Sequence, residues 1–131
     1  MLGGDLVNPD TRSDIPIFIQ IAAGIEDSIL TEIYPEESQI PSTTEISMLF
    51  KINPATVLKG MNILVEEGTI YKKRGLGMFV STGATEKIKE KRKKSFRQSY
   101  VTPLLEEAEK LGFSKEDLHN WIEEVNQNAG N

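Results

Sequence analysis

The stretch from Ser42 to Val80, "STTEISMLFKINPATVLKGMNILVEEGTIYKKRGLGMFV", decides the fold. It opens on Ser42-Thr43-Thr44-Glu45, a capping box in which Ser42 accepts from a first-turn amide while Glu45 reaches back. The helix that follows is short, with Ile46, Leu49 and Phe50 as its apolar positions. Lys51-Ile52 turns the chain, and Asn53-Pro54 restarts it as N-cap and first helical residue. In the next helix Val57, Met61, Leu64 and Val65 form an inward stripe, and Gly68 ends it. "IYKK" and "GMFV" then read as two short strands joined by a glycine turn, with Lys72, Lys73 and Arg74 at its tip. Two helices joined by a tight turn, with a hairpin behind them, predict a winged helix-turn-helix.

Upstream, Phe18, Ile21, Ala22, Ile25, Ile29 and Ile33 recur at spacings of three and four, which predicts a helix from Pro16 that fades at Tyr34-Pro35. "PEESQIPS" follows neither the helical nor the strand period and reads as a loop. Residues 1–14 carry little that could pack, so a flexible N-terminal arm is expected there. Downstream of Gly83 the chain becomes a very basic helix, and Pro103 interrupts or kinks it. Leu104, Leu105, Ala108 and Leu111 make one apolar face closed by Gly112. Leu118, Trp121, Ile122 and Val125 make another on a last helix begun by Ser114 and Asp117.

Composition narrows the chemistry. The 131 residues contain no cysteine and one histidine, His119, so disulfides, thiolate chemistry and a His/Cys metal cluster are excluded and no cofactor is implied. No apolar run reaches the length of a membrane span, and "MLGGDLVNPDTRSD" lacks the basic and apolar regions of a signal peptide, which implies a cytoplasmic protein without membrane contact. The formal net charge is -5, but it is unevenly placed. Residues 83–100 hold seven Lys or Arg against two Glu, whereas residues 101–131 hold seven acids against two bases. A basic joint between acidic pieces fits an anionic partner that meets one region only.

In a helix-turn-helix the second helix enters the major groove of double-stranded DNA with its N-terminal residues nearest the bases. With the apolar stripe inward, that helix presents Ala55, Thr56, Lys59, Asn62 and Glu66. Thr56 can bond a phosphate or base, and Lys59 suits guanine acceptors or phosphate. Ser42, Thr43 and Thr44 stand at a helix N-terminus, where backbone amides favour phosphate. Lys72, Lys73 and Arg74 would reach the DNA backbone or the adjacent minor groove, with Gly75 and Gly77 allowing close approach. Two other readings compete: a winged helix used for protein contact without specific DNA binding, and a nucleotide-phosphate loop at "KRGLG". The phosphate loop needs a helix after the glycines, whereas here a strand follows. No nucleophile, base and orienting group can be assembled, so the chain does not read as an enzyme.

"QIPSTTEISMLFKINPATVLKGMNILVEEGTIYKKRGLGMFVS" resembles the DNA-binding domain of the GntR family of bacterial transcription regulators. "IPIFIQIAAGIEDSI" resembles the family's first helix, and "INPATV" with a short C-terminus containing "PLLEEAEKLGFS" is similar to the YtrA-type subfamily. The resemblance implies a mostly α chain with a small β-hairpin: a winged helix over 15–82, then a short helical dimerisation region over 83–131. It further implies a homodimeric repressor on a palindromic operator, controlling an operon with its own gene and an ABC transporter. By position, Ser42, Thr44, Thr56, Lys59, Lys73, Arg74, Gly75 and Gly77 match DNA-contacting places. Many members carry arginine where this chain has Thr44, Pro54 and Leu58. Gly60 stands where alanine is usual and is expected to loosen its helix by roughly 1 kcal/mol. The fifty or so residues after the wing leave little room for a pocket of ~300 Å³, so they are read as a dimerisation device, and the sequence names no effector.

Overall fold

The computed structural model describes residues 6–129. Helix α1 spans Ile17–Leu30, α2 Thr43–Phe50 and α3 Pro54–Glu66, followed by strands β1 (Ile70–Lys73) and β2 (Gly77–Val80). Helix α4 spans Ala84–Phe96, a π-helical turn Arg97–Val101, α5 Thr102–Leu111 and α6 Lys115–Ala129. The chain divides into two compact units, one ending at Lys91 and the other beginning at Arg92.

The first unit is the winged helix. Ser42 Oγ accepts from the Glu45 amide at 3.0 Å and Glu45 Oε1 accepts from the Ser42 amide at 3.1 Å, completing the capping box that starts α2. Helix α2 ends on Lys51 in the left-handed conformation (φ 55°). The buried Ser47 hydroxyl donates to the Ile52 carbonyl at 2.6 Å, which pins the turn into α3. Asn53 then caps α3 by accepting from the Ala55 amide at 2.9 Å, with Pro54 next in line. Val57, Met61 and Leu64 of α3 are fully buried against Ile21, Ile25 and Ile29 of α1, with Ile46 of α2.

Gly60 is what brings α1 and α3 together. A Cβ placed there would lie 2.7 Å from the Phe18 carbonyl oxygen and 3.3 Å from Ile21. The glycine is thus a close-approach residue, and its propensity cost is offset by helix packing.

Several sequence expectations are corrected. Helix α1 stops at Leu30 because Glu32 turns left-handed (φ 63°), so Ile33 is exposed and Tyr34 is buried in its place. Leu49 and Val65 are partly exposed and belong to no inward stripe. The presumed loop before α2 contributes a third chain to the wing. Gln39 bridges to Phe79, the Ile40 amide donates to the Met78 carbonyl at 3.0 Å, and the Val80 amide donates to the Ser38 carbonyl at 2.9 Å. The flexible-arm expectation fails from Leu6 onward, because Leu6 is buried in the core and Asp10 exchanges hydrogen bonds with the Gln20 side chain. Residues 1–5 lie outside the described residues.

The boundary expected between 82 and 83 also moves. Ala84 and Ile88 are completely buried in the first core, so the opening turns of α4 belong to the winged-helix unit. Lys91 explains the rest: its ammonium bonds the buried carboxylate of Glu26 on α1 and, at 2.7 Å, that of Glu67 at the end of α3. Burial works against the charged ammonium, but the hydrogen bonds to Glu26 and Glu67 outweigh it and raise its pKa above the ordinary lysine value.

In the second unit Pro103 does not break the helix. The chain widens into the π-helical turn over Arg97–Val101, in which the Thr102 amide donates to the Arg97 carbonyl, and resumes as α5 with the proline at its start. Gly112 closes α5 in the left-handed conformation (φ 78°). A second capping box, Ser114 with Asp117, starts α6. Phe113 and Trp121 meet edge to face at 4.9 Å.

Candidate nucleic-acid interface

The wing is a two-stranded antiparallel hairpin pairing Ile70 with Val80, Tyr71 with Phe79, Lys72 with Met78 and Lys73 with Gly77. Its tip is Arg74-Gly75-Leu76, closed by the Leu76 amide donating to the Lys73 carbonyl at 2.9 Å. Gly75 takes φ 79°, the positive value such a turn needs at its third residue. Strand alternation separates the predicted cations. Lys72 and Lys73 point to opposite faces of the hairpin, and Lys73 Nζ lies 4.3 Å above the Phe79 ring. Arg74 alone belongs to the tip, exposed next to Leu76. Lys72 and Arg74 are exposed and form no salt bridge among the described residues.

Gln39, which the sequence reading passed over, holds this tip. Its Nε2 donates to the Leu76 carbonyl at 2.7 Å and sits 2.8 Å from where a Cβ on Gly77 would be. Beside it, Glu37 accepts from the Thr82 hydroxyl at 2.6 Å and from the Tyr71 hydroxyl, which lowers its carboxyl pKa and raises that of the Tyr71 phenol. Glu36 accepts from the Gly83 amide at 2.9 Å at the head of α4, and that bond first of all lowers its pKa. The signal for this support was weak: "SQI" is too short to show a strand period, and "EE" reads as solvated charge.

At the N-terminus of α2, Thr43 is half-buried and Thr44 exposed, while Ser42 is engaged in the capping box. Glu45 places a carboxylate at the same end, which tempers its attraction for phosphate. Along α3, Ala55 is exposed, Thr56 half-buried and Lys59 exposed. Lys59 Nζ rests 4.1 Å from the centre of the Phe18 ring on α1, a cation–π contact that holds it to the side of its own helix. The basic run of α4 is not uniformly available either, since Lys91 is engaged by two carboxylates.

The C-terminal candidates divide differently. Ala108 and Leu118 are buried, whereas Leu104, Leu105, Leu111, Trp121, Ile122 and Val125 are exposed in the single chain. Leu104, Leu118, Trp121, Ile122 and Val125, with Asn126, line an apolar groove of about 270 Å³. Among the described residues no three His, Asp or Glu side chains gather to hold a metal ion, and no helix is long and apolar enough to cross a membrane.

Comparison with known proteins then decides the family. Residues 19–80 match the model for bacterial regulatory proteins of the gntR family. Over 120 residues the chain is 30% identical to the HTH-type transcriptional repressor YtrA of Bacillus subtilis, an alignment covering 92% of each protein. The chain belongs to the GntR family. This GntR protein is of the YtrA type, a DNA-binding transcription regulator and not an enzyme. A crystal structure of a putative GntR-family regulator from Bacteroides thetaiotaomicron is 34% identical and superposes with a TM-score of 0.66, over 86% of this chain and 98% of that one. The DNA-binding domain of AraR, solved in complex with operator ORX1, is 25% identical, with a TM-score of 0.51 over 57% of this chain and 93% of that domain.

Proposed function

We propose that this GntR protein is a repressor that binds a palindromic operator as a homodimer. Its wing and α3 contact each half-site, and α5 and α6 join the two copies. The observation that carries the reading is the open apolar face of the C-terminal unit, where Trp121 is 43% and Val125 67% exposed in one chain. A monomer rarely leaves so contiguous an aromatic and aliphatic surface in water, and a two-fold axis lets the same face cover itself. The exposed Lys72 and Arg74 supply phosphate contacts, and the helix end at Ser42–Thr44 adds backbone amides. The similarity to the repressor YtrA supports repression, and the YtrA-type resemblance of the sequence implies a target operon that includes the protein's own gene and an ABC transporter.

The test is an electrophoretic shift on the DNA upstream of its own gene, at two salt concentrations and with scrambled competitor. A competitor-resistant shift whose footprint is two-fold symmetric is expected. A shift erased equally by any DNA would contradict operator recognition.

A further inference from the structure

Helix α3 runs Pro54-Ala55-Thr56-Val57-Leu58-Lys59-Gly60-Met61-Asn62 through its first two and a half turns, and it contains no arginine. Val57, Gly60 and Met61 face the core, so the side chains left to meet a DNA groove are few. Pro54 and Ala55 are exposed and carry no hydrogen-bonding side chain. Lys59, the helix's one cation, is drawn over Phe18. Thr56 is half-buried, with a hydroxyl suited to phosphate or base. Leu58 is the exposed large apolar group of this stretch: an aliphatic side chain, 49% exposed, one helical turn beyond Pro54 on the same side. Nothing in the first core requires it, because it does not belong to the buried cluster or to the half-buried residues packed against it.

An aliphatic group in the major groove has one base-specific partner, the C5 methyl of thymine. Asn62 lies one further turn along the same face, exposed, and its amide suits the N6 and N7 edge of adenine. We propose that Leu58 is the specificity-determining residue of α3, and that the half-site is read through thymine methyls rather than guanine acceptors. The inference rests on the operator reading above. Burying one methyl against Leu58 is worth about a fourfold change in affinity, so two thymines in reach give roughly fifteenfold.

The experiment selects sites from a randomised duplex pool with the purified full-length chain. The chosen duplex is then compared with one in which deoxyuridine replaces thymine, which removes only the methyl. Wild-type affinity should fall about four- to fifteenfold when the substitution lies in the α3 half-site and should not change when it lies outside. L58A should bind the thymine duplex more weakly and be indifferent to deoxyuridine, which separates methyl contact from an effect on DNA shape. L58R should redirect the selection toward guanine. Melting temperatures of both variants should match the wild type, as expected for an exposed site. A selected site that tolerates deoxyuridine, or an L58A variant with unaltered affinity and preference, would overturn the assignment while leaving operator binding intact. A pool that yields no preferred sequence would overturn both it and the operator reading.

Discussion

The two units of this chain treat their apolar residues in opposite ways. In the winged helix, Ile25, Ile29, Ile46, Val57, Leu64, Ile70, Val80 and Ile88 come from six elements and a single core almost completely hides them. Among the described residues of the C-terminal unit only Ala108 and Leu118 are buried, and Leu104, Trp121, Ile122 and Val125 face outward along two strongly amphipathic helices. In the proposed function the closed core serves as a rigid reading head and the open stripe as the joint to a second copy. Charge follows the same division. Lys91, tied to the first core, is neutralised by Glu26 and Glu67, whereas Lys72 and Arg74 on the wing are left to solvent or phosphate.

The largest expected effect comes from spoiling the open face. Ile122→Asp combined with Val125→Asp should convert the protein to a monomer in size-exclusion chromatography with light scattering. Operator affinity should then fall about 100-fold or more, because each half-site loses the effective concentration that its linked neighbour provides. Both positions are largely exposed, so the melting temperature of the winged helix should not change. A variant that stays dimeric would break the contrast between the units.

Gly60→Ala tests the closed core. On propensity alone it would stabilise α3 by up to about 1 kcal/mol. The 2.7 Å approach to the Phe18 carbonyl predicts the opposite sign, a loss of about 1–3 kcal/mol from forcing α1 and α3 apart. Urea unfolding with an unchanged m-value would measure it.

Lys91→Ala should cost about 1–2 kcal/mol. The lysine is half exposed, which screens the pair, but the Glu26 carboxylate it serves is nearly buried. Because the folded pKa of Lys91 is raised, its contribution is fully present below the ordinary lysine value and fades as pH climbs through the raised one. The stability difference between wild type and Lys91→Ala should therefore be flat across neutral pH and shrink only in strong alkali.

The smallest effect expected is at Gln39. Gln39→Ala releases the Leu76 carbonyl and should weaken operator binding about three- to tenfold through a looser wing tip. Stability should change by less than about 1 kcal/mol, since the residue is exposed. Equal losses in stability and affinity would make Gln39 a packing residue instead.

Much of the winged helix was legible because its signals are local. The Ser42/Glu45 box, the Asn53-Pro54 restart, the Gly75 turn and the Gly112 cap each sit where residue chemistry dictates a start or a stop. What escaped depends on distant partners. The Ser38–Ile40 segment makes a single bridge at Gln39 and is held there only because β2 offers it a free edge. Lys91 reads as one more lysine in a basic run until Glu26, sixty-five residues away, is found against it. Gly60 looked like a flaw in the recognition helix until the Phe18 carbonyl was seen above it. At the candidate interface, periodicity placed Lys59 outward correctly, but it could not show that Phe18 claims the ammonium, or that Lys72 and Lys73 point to opposite faces of the wing.

In the proposed function the C-terminal stripes join two reading heads on one symmetric site. Sedimentation equilibrium of the full chain, at the protein concentrations where the specific shift on its upstream DNA is half complete, tests it most directly. The account predicts a species of twice the 14.6 kDa chain mass, binding as one dimer per operator. A monomer at those concentrations that still gave the specific shift and a symmetric footprint would contradict it.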